Sequence, residues 1–262
     1  MIIEHLSTRI RCIDALLVRE AKKRFGNGLS GMTMAFFEPL VQVAFFSALY
    51  YLTGRQGPHG ISPFAFMITG VLPYHLFSKT LTKAMSGIDA NKTLLSYPIL
   101  KPIDTILSRV ILEVLIYLLV FVVLIMICVH EDLIDAIHRP FYFVMGITSA
   151  ILMATGGAIF FAALLSFIEK AKMIVPILMR VGFMTSGVFF SMSMLPQVAR
   201  DIVIWNPMMN VTEMIRYSLF VDYSDAYFSL SFVMMVNFIL ITLGLSFLEY
   251  AQRHPKAKIR NT

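Results

Sequence analysis

Charged and polar side chains inside long apolar runs are the first candidates for chemistry in this sequence. Arg109 and Glu113 are four residues apart and share one face of a helix, as do Glu38 and Gln42 in an earlier run. Arg180 lies about two turns inside a third run. Buried charge in a membrane is costly and often marks the path of a polar substrate. Two interpretations stay open: these residues pair with one another and fix helix packing, or they line a translocation path in which Arg180 meets an anionic substrate.

Sequence signatures of enzymes and of nucleotide-binding proteins do not occur. The sequence has no GxxxxGK[ST] motif to hold ATP phosphates, no HExxH motif and no arguable Ser–His–Asp set. One segment holds five side chains that could bind a cation: His130, Glu131, Asp132, Asp135 and His138. A solvated loop is the simpler interpretation of that segment. We therefore predict no catalytic residue, no metal site and no cofactor bound by this chain.

Composition points to a membrane as the place where these residues act. The chain has 262 residues, 58% of them hydrophobic and 15% charged, whereas soluble domains are about 45–50% apolar and about 25% charged. A bilayer-spanning helix needs about 20 apolar residues. Six runs meet that length: 32–53, 64–82, 103–129, 141–168, 173–192 and 227–249. Because backbone groups in lipid must be paired within a helix, the sequence predicts an all-α integral membrane protein with six transmembrane helices.

Lysine and arginine are distributed very unevenly around these runs. With the N-terminus in the cytoplasm, 18 of the 22 fall on the cytoplasmic side, and the outer side holds only Arg55, Arg139, Arg200 and Arg216. Cytoplasmic loops of membrane proteins carry this excess. We therefore predict a multi-pass protein with both termini cytoplasmic. The same distribution explains the formal net charge of +6 without any nucleic-acid partner.

Two segments on the cytoplasmic side are candidates for partner contacts. In residues 3–25, apolar residues recur every three or four positions among many arginines and lysines, which predicts an amphipathic helix on the inner membrane surface. That helix is either a membrane anchor only or also a contact for a partner. Residues 84–97 are the core of the longest inner connection and are either an ordinary loop or a docking element. Pro102 and Asp104 suit the first turn of the helix that follows.

The segment 193–226 on the outer side is too long and too apolar for a simple loop. Two short amphipathic pieces separated by Trp205-Asn206-Pro207 fit it better. Such pieces can enter a membrane where protein or a water-filled cavity surrounds them. The segment is either a loop lying on the membrane surface or an outer gate.

Small residues recur at every fourth position of the fourth apolar run, and they allow helices to approach closely. They are Gly146, Ala150, Ala154, Ala158, Ala162 and Ser166. Each four-residue step drifts about 40° around a helix with 3.6 residues per turn. Because the row cannot face one neighbour throughout, we predict that it packs within one subunit and does not form a dimer seam.

Several short stretches, in order along nearly the whole chain, resemble one known family. They are Arg19-Glu20, Arg24-Phe25-Gly26, Phe37-Glu38-Pro39, Gly70-Val71-Leu72-Pro73-Tyr74, Asn91-Lys92, Tyr97-Pro98, Lys101-Pro102-Ile103-Asp104-Thr105, Arg109 with Glu113, and Trp205-Asn206-Pro207 with Glu213. The chain resembles the inner-membrane permease of capsular polysaccharide ABC exporters of Gram-negative bacteria. The Lys101–Thr105 stretch is the most specific of these matches.

The resemblance implies a single transmembrane permease domain over residues 1–262 that works as a homodimer in the bacterial inner membrane. Two copies of a separate ATP-binding subunit would bind ATP and magnesium, and no reaction would occur on this chain. The implied substrate is a lipid-linked, usually acidic polysaccharide. A periplasmic adaptor and an outer-membrane channel would complete its path.

The resemblance also implies roles for three segments. The 3–25 helix and the 84–97 element would be moved by the ATPase, through Arg24, Phe25, Asp89, Asn91, Lys92 and Leu94. Residues 193–226 would form an outer re-entrant gate around Trp205, Asn206 and Pro207. Other functions stay open: an O-antigen, teichoic-acid or drug exporter of the same architecture, a membrane-embedded enzyme, or a passive scaffold.

Overall fold

The structure of the protein, a computed structural model, describes residues 2–26, 29–54 and 57–254. Every regular element in these ranges is helical. The α-helices are α1 (Ile2–Phe25), α2 (Leu29–Leu52), α3 (Pro63–Ala84), α4 (Gly87–Ala90), α5 (Pro102–His130), α6 (Pro140–Leu165), α7 (Ala171–Thr185), α8 (Gln197–Val203), α9 (Pro207–Leu219) and α10 (Leu230–Arg253). An all-α protein is therefore confirmed, and each predicted apolar run coincides largely with one helix: α2, α3, α5, α6, α7 and α10.

Three of the described helices, α5, α6 and α10, are long and apolar enough to cross a membrane. Proline stands at the first position of α3, α5, α6 and α9. The N–H that proline lacks would have no hydrogen-bond partner within the helix at that position. The start of α5 is as predicted. Pro102 opens the helix, and Asp104 accepts a hydrogen bond from the backbone N–H of Lys101 at 2.9 Å.

Helix α3 is the centre of the bundle. Every residue from 65 to 76 is buried, and a helix that is buried on all sides must be surrounded by other elements. It packs against α2, α5, α6 and α9. Gly70 permits the close approach of the segment that follows α7, because a Cβ atom there would lie 2.9 Å from the Cα of Val188. Residues 70–74, which contribute to the family resemblance, are thus packing positions in the core.

The pair α6 and α10 forms the most extensive helix contact, and glycines set its distance. A Cβ atom on Gly244 would lie 2.7 Å from the carbonyl oxygen of Gly156. The predicted row of small residues in the fourth run is buried along its whole length: Gly146, Ala150, Ala154, Ala158, Ala162 and Ser166. A Cβ atom on Gly146 would instead meet Ile215 of α9. The row therefore packs within one chain and meets different neighbours along its length, as predicted.

Helix α7 ends earlier than its apolar run. The run 173–192 predicts a helix to residue 192, but α7 ends at Thr185, so the prediction is wrong for the last third of the run. Gly187 has φ +75°, a left-handed conformation that commonly ends a helix and that residues other than glycine rarely adopt. The chain continues as buried non-helical backbone through Val188.

Introducing a side chain at the α6–α10 contact is expected to destabilise the fold. Gly244→Val would force a Cβ atom against the Gly156 carbonyl, at a cost of about 1–3 kcal/mol for overpacking. The midpoint of thermal unfolding in detergent should fall accordingly. Leu243→Val, one residue away on the exposed side of α10, is the matched control and should change it little. Equal midpoints for the two variants would contradict the close packing of these helices.

Candidate functional site

A cleft of about 810 Å³ opens between α2, α3 and α7. Residues spaced three or four apart supply each wall, so that one face of each helix borders the cleft. Its basic side chains are Lys79 and Lys83 of α3 and Arg180 of α7. Its aromatic side chains are Phe46, Tyr74, Phe183 and Phe189. Cations beside aromatic faces can bind a polymer that carries both negative charge and apolar sugar faces.

Two predicted path residues line this cleft and a third borders it. Gln42 lines it and is hydrogen-bonded to His75 of α3, and Arg180 lines the opposite wall. Glu38 forms an ion pair with Lys79. The sequence analysis did not single out the α3 residues, although their spacing at 75, 79 and 83 places them on one helix face. That periodicity is the signal that could have found them.

Arg109 does not pair with Glu113, and neither residue lines the cleft. Arg109 of α5 reaches α1 and donates to Glu20 Oε2 at 2.9 Å. It also donates to Ser86 Oγ at 2.9 Å and to the Lys83 carbonyl at 3.2 Å, at the end of α3. The Arg109 guanidinium thus joins α5, α1 and the end of α3, because its several N–H groups can donate to several acceptors at once.

Asn91 makes a second junction between the inner connection and α1. Its Nδ2 donates to Glu20 Oε1 at 3.2 Å and to the Gly87 carbonyl at 2.9 Å, and its Oδ1 accepts from Arg19 at 2.6 Å. Asn91 is 1% exposed and Glu20 is 7% exposed. Buried polar groups of this kind need such partners, because an unpaired one costs about 1–3 kcal/mol.

Two further ion pairs fasten the ends of the contact between α1 and α5. Arg9 donates to Asp104 at 2.8 Å, near the start of α5. Arg24, at the end of α1, pairs with the buried carboxylate of Glu113. We call the whole set the inner joint. Its members are Arg9, Arg19, Glu20, Arg24, Asn91, Asp104, Arg109 and Glu113.

The other predicted coupling residues lie around this joint with different exposure. Asp89 pairs with Lys92 at 3.2 Å, while Phe25 and Leu94 are half-buried. The most exposed apolar side chains of the inner connection come just after them, at Tyr97 (60%) and Ile99 (53%). The sequence analysis placed neither of these two residues among the coupling residues.

The outer segment contains two helices, α8 and α9, as the sequence analysis predicted, and residues 204–206 separate them. Trp205 is 71% exposed and meets the ring of Phe232 edge-on. Asn206 caps α9, since its side chain accepts from the Met208 N–H at 3.0 Å and donates to the Thr185 carbonyl at 3.0 Å. Pro207 is the first residue of α9.

A fully buried ion pair within this segment was not among the predicted site residues. Glu213 and Arg216 of α9 are both 0% exposed and are 3.4 Å apart. The Arg216 guanidinium lies 3.8 Å from the centre of the Phe66 ring on α3. Glu213 accepts from the hydroxyl of Tyr223 at 3.0 Å. Burial raises the pKa of the Glu213 carboxyl, while Arg216 opposes that rise.

The pair also fixes the non-helical chain that follows α7. Glu213 accepts from the Ser191 hydroxyl at 3.3 Å and from the Met192 N–H at 3.4 Å, and Arg216 donates to the Phe190 carbonyl at 3.1 Å. Backbone groups that left the helix at Thr185 thus find partners on α9. The three-residue spacing of Glu213 and Arg216 on α9 could have indicated their ion pair. Only the tertiary fold brings residues 190–192 to it.

Helices able to cross a membrane, packed beside a cleft with basic and aromatic walls, are features that membrane transport proteins share. The family model described as ABC-2 type transporter matches residues 11–220. The chain belongs to the ABC-2 type transporter membrane family.

Curated relatives cover nearly the full chain. It is 29% identical over 236 residues to the polysialic acid transport protein KpsM of Escherichia coli, covering 89% of this chain and 91% of that protein. It is 30% identical over 242 residues to the capsule polysaccharide export inner-membrane protein BexB of Haemophilus influenzae, covering 92% of this chain and 91% of that protein. It is 27% identical over 244 residues to the capsule polysaccharide export inner-membrane protein CtrC of Neisseria meningitidis, covering 93% of this chain and 92% of that protein.

Removing one partner of the buried outer pair is expected to be severely destabilising. Arg216→Met leaves the Glu213 carboxylate buried without its cation, which costs about 3–5 kcal/mol. Thermal unfolding in detergent and the yield of folded protein measure the effect. Arg11→Met, at an exposed arginine of α1, is the matched control. The double variant Glu213→Gln/Arg216→Met should recover part of the loss, and a single variant as stable as the control would contradict this role.

Proposed function

We propose that this chain is the transmembrane subunit of an ATP-driven exporter that moves lipid-linked capsular polysaccharide from the cytoplasm across the bacterial inner membrane. The observation that supports this most directly is the cleft lined by Lys79, Lys83 and Arg180 beside four aromatic rings. It lies in a chain whose relatives are described as capsule polysaccharide export proteins of the inner membrane. The chain supplies a shaped path and no covalent chemistry.

In this proposal the whole chain, residues 1–262, is one permease domain with six spans and both termini cytoplasmic. The spans are α2, α3, α5, α6, α7 and α10. Helix α7 has only 15 residues, about 22 Å, whereas the hydrocarbon core is about 30 Å thick. The buried segment after Thr185, paired to Glu213 and Arg216, would complete the crossing. Non-helical backbone is tolerated in a membrane where protein surrounds it.

The proposed path runs along the cleft, with Gln42 and Arg180 on its walls and Glu38 at its edge. An acidic polymer would contact the three basic side chains in turn. The cleft is open on one side, and the edges of α2 and α7 expose apolar residues such as Phe45 (62%) and Val181 (60%). A homodimer in which two copies face each other across these edges would enclose the path.

ATP and magnesium would be bound by two copies of a separate ATP-binding subunit, because this sequence has no GxxxxGK[ST] motif. We propose that this subunit docks on the exposed tip formed by residues 96–99 and Lys92. Asn91 is 1% exposed and bonded to α1, and we assign it with Arg24 to the inner joint. Asp89, Leu94 and Phe25 support the tip and the end of α1.

On the outer side, residues 193–226 would act as a re-entrant gate. Asn206 and Pro207 hold the start of α9, and Trp205 lies exposed at the corner between α8 and α9. A periplasmic adaptor and an outer-membrane channel would receive the polymer beyond this gate.

Reconstitution tests the function directly. The chain and the host's ATP-binding subunit are placed in vesicles with lipid-linked polysaccharide, and polymer that becomes accessible on the opposite face is measured. We expect movement that requires ATP and both subunits. Movement of only O-antigen, teichoic acid or a drug would favour the alternative exporters of this architecture. Activity of the chain without the ATP-binding subunit would contradict the proposal.

A charge reversal in the cleft should weaken export of an acidic polymer. Arg180→Glu replaces attraction by repulsion, and a lost interaction of about 1 kcal/mol corresponds to about fivefold weaker binding. The initial export rate in vesicles measures the effect. Lys172→Glu makes the same charge change on the exposed inner end of α7, outside the cleft. Equal rates for both variants would show that Arg180 does not meet the substrate.

Shortening the apolar tip should weaken docking of the ATP-binding subunit. Tyr97→Ala/Ile99→Ala removes two exposed side chains, and burying one such side chain at an interface contributes about 1.5–3 kcal/mol. The dissociation constant between the purified subunits should rise at least about tenfold. Leu115→Ala, on the exposed face of α5, serves as the control. An unchanged dissociation constant would exclude this docking surface.

A further inference from the structure

The inner joint is unusual in the way α1 is attached to the rest of the protein. Among the described side chains of α1, only Leu16 and Glu20 are buried. Three arginines of α1 also reach buried acceptors on other elements. A helix held mainly by apolar contacts can slide, because such contacts are non-directional. A helix held by ion pairs to buried carboxylates cannot slide without leaving those charges unpaired.

These contacts are spread along both helices and run in the same order. Arg9, Glu20 and Arg24 of α1 contact Asp104, Arg109 and Glu113 of α5 in turn. On α5 the three contacts span about 14 Å of helix, and on α1 about 22 Å. Rotation of α1 about any one contact would break the other two. The two helices are therefore fixed to each other as one rigid body.

The joint also reaches the inner mouth of the cleft. Arg109 donates to the Lys83 carbonyl and to Ser86 Oγ, and both of these residues line the cleft. Asn91 ties the docking side of the same connection to Glu20. A displacement applied to the inner connection would therefore move α1, α5 and the cleft mouth together.

We propose that α1, residues 84–101 and the cytoplasmic half of α5 form one rigid transmission unit, and that the Arg24–Glu113 pair is the contact through which this unit moves the middle of α5. Arg24 and Glu113 are positioning residues and do not contact ATP or polymer. The proposal rests on the proposed export function. It adds to that function one specific buried ion pair as the contact that transmits the motion.

Charge exchange at this pair tests the proposal. Glu113 has a single described partner, Arg24, through one of its two oxygens, so exchanging the charges restores the ion pair. The exchange also removes the contact of the Arg24 guanidinium with the ring of the adjacent Phe25. Arg24→Glu and Glu113→Arg each create a like-charge contact, and the double variant re-forms an ion pair. In complexes with the ATP-binding subunit, we expect each single variant to lower export per ATP hydrolysed about tenfold, within the range typical of coupling between sites. The double variant should recover at least about half of the wild-type ratio.

Lys23→Glu is the matched control, because it makes the same charge change at the neighbouring, exposed position of α1. If Arg24→Glu exports as much polymer per ATP hydrolysed as Lys23→Glu does, the proposal is overturned. A double variant no better than either single variant would overturn it too. Glu113→Gln removes the charge and keeps the shape of the side chain, so it decides the question if the reversed variants do not assemble.

Hydrogen exchange of the α1 amides gives a readout that needs neither polymer nor ATP. In the wild type and in the double variant, we expect the amides of α1 to exchange at the same rate as those of the first half of α5. In the single variants we expect α1 to exchange faster. Equal α1 exchange in all variants would refute the rigid unit. If the wild-type complex exports no polymer, the proposed function fails, while this exchange comparison still decides the joint.

Discussion

A carboxylate inside a lipid-embedded bundle must find a cation, because water cannot reach it and the cost of an unpaired buried charge is several kcal/mol. Asp104 and Glu113 on α5 are buried carboxylates of this kind, and their cations come from α1, a helix that precedes the first predicted span. The position of α1 follows from that need. Once α1 lies along α5, Glu20 is placed to hold Arg109 and Asn91, and the inner connection is fixed as well.

The same constraint shapes the outer end of the protein. Helix α7 stops at Thr185, and the backbone that follows needs partners for its polar groups. The buried pair of Glu213 and Arg216 supplies them and joins α9 to α3 through Thr69 and the Phe66 ring. Between the two ends lies the cleft, where Lys79 pairs with Glu38 while Lys83 and Arg180 line the open space. Charge is thus neutralised where it fixes the fold, and two cationic side chains are left available where a polymer would pass.

Hydropathy predicted the all-helical class and the positions of α2, α3, α5, α6, α7 and α10, apart from the end of α7, because a backbone in lipid must pair its polar groups within a helix. Local rules also predicted the start of α5 and the division of the outer segment into two helices. Pairing between distant residues was not predictable. The four-residue spacing of Arg109 and Glu113 favoured a local pair, but both residues bind α1. Glu213 and Arg216 meet residues from three other segments, and Gly187 ends α7 through a backbone conformation that hydropathy does not register.

The most direct measurement is to deplete this protein in its host and to locate the cell's polysaccharide by fractionation and immunogold labelling. If the chain is the export permease, lipid-linked polymer should accumulate in the cytoplasm and disappear from the surface. Wild-type protein should restore the surface polymer. Normal surface polysaccharide after depletion would contradict the capsule export function and would leave the chain as an ABC-2 family exporter of a different substrate.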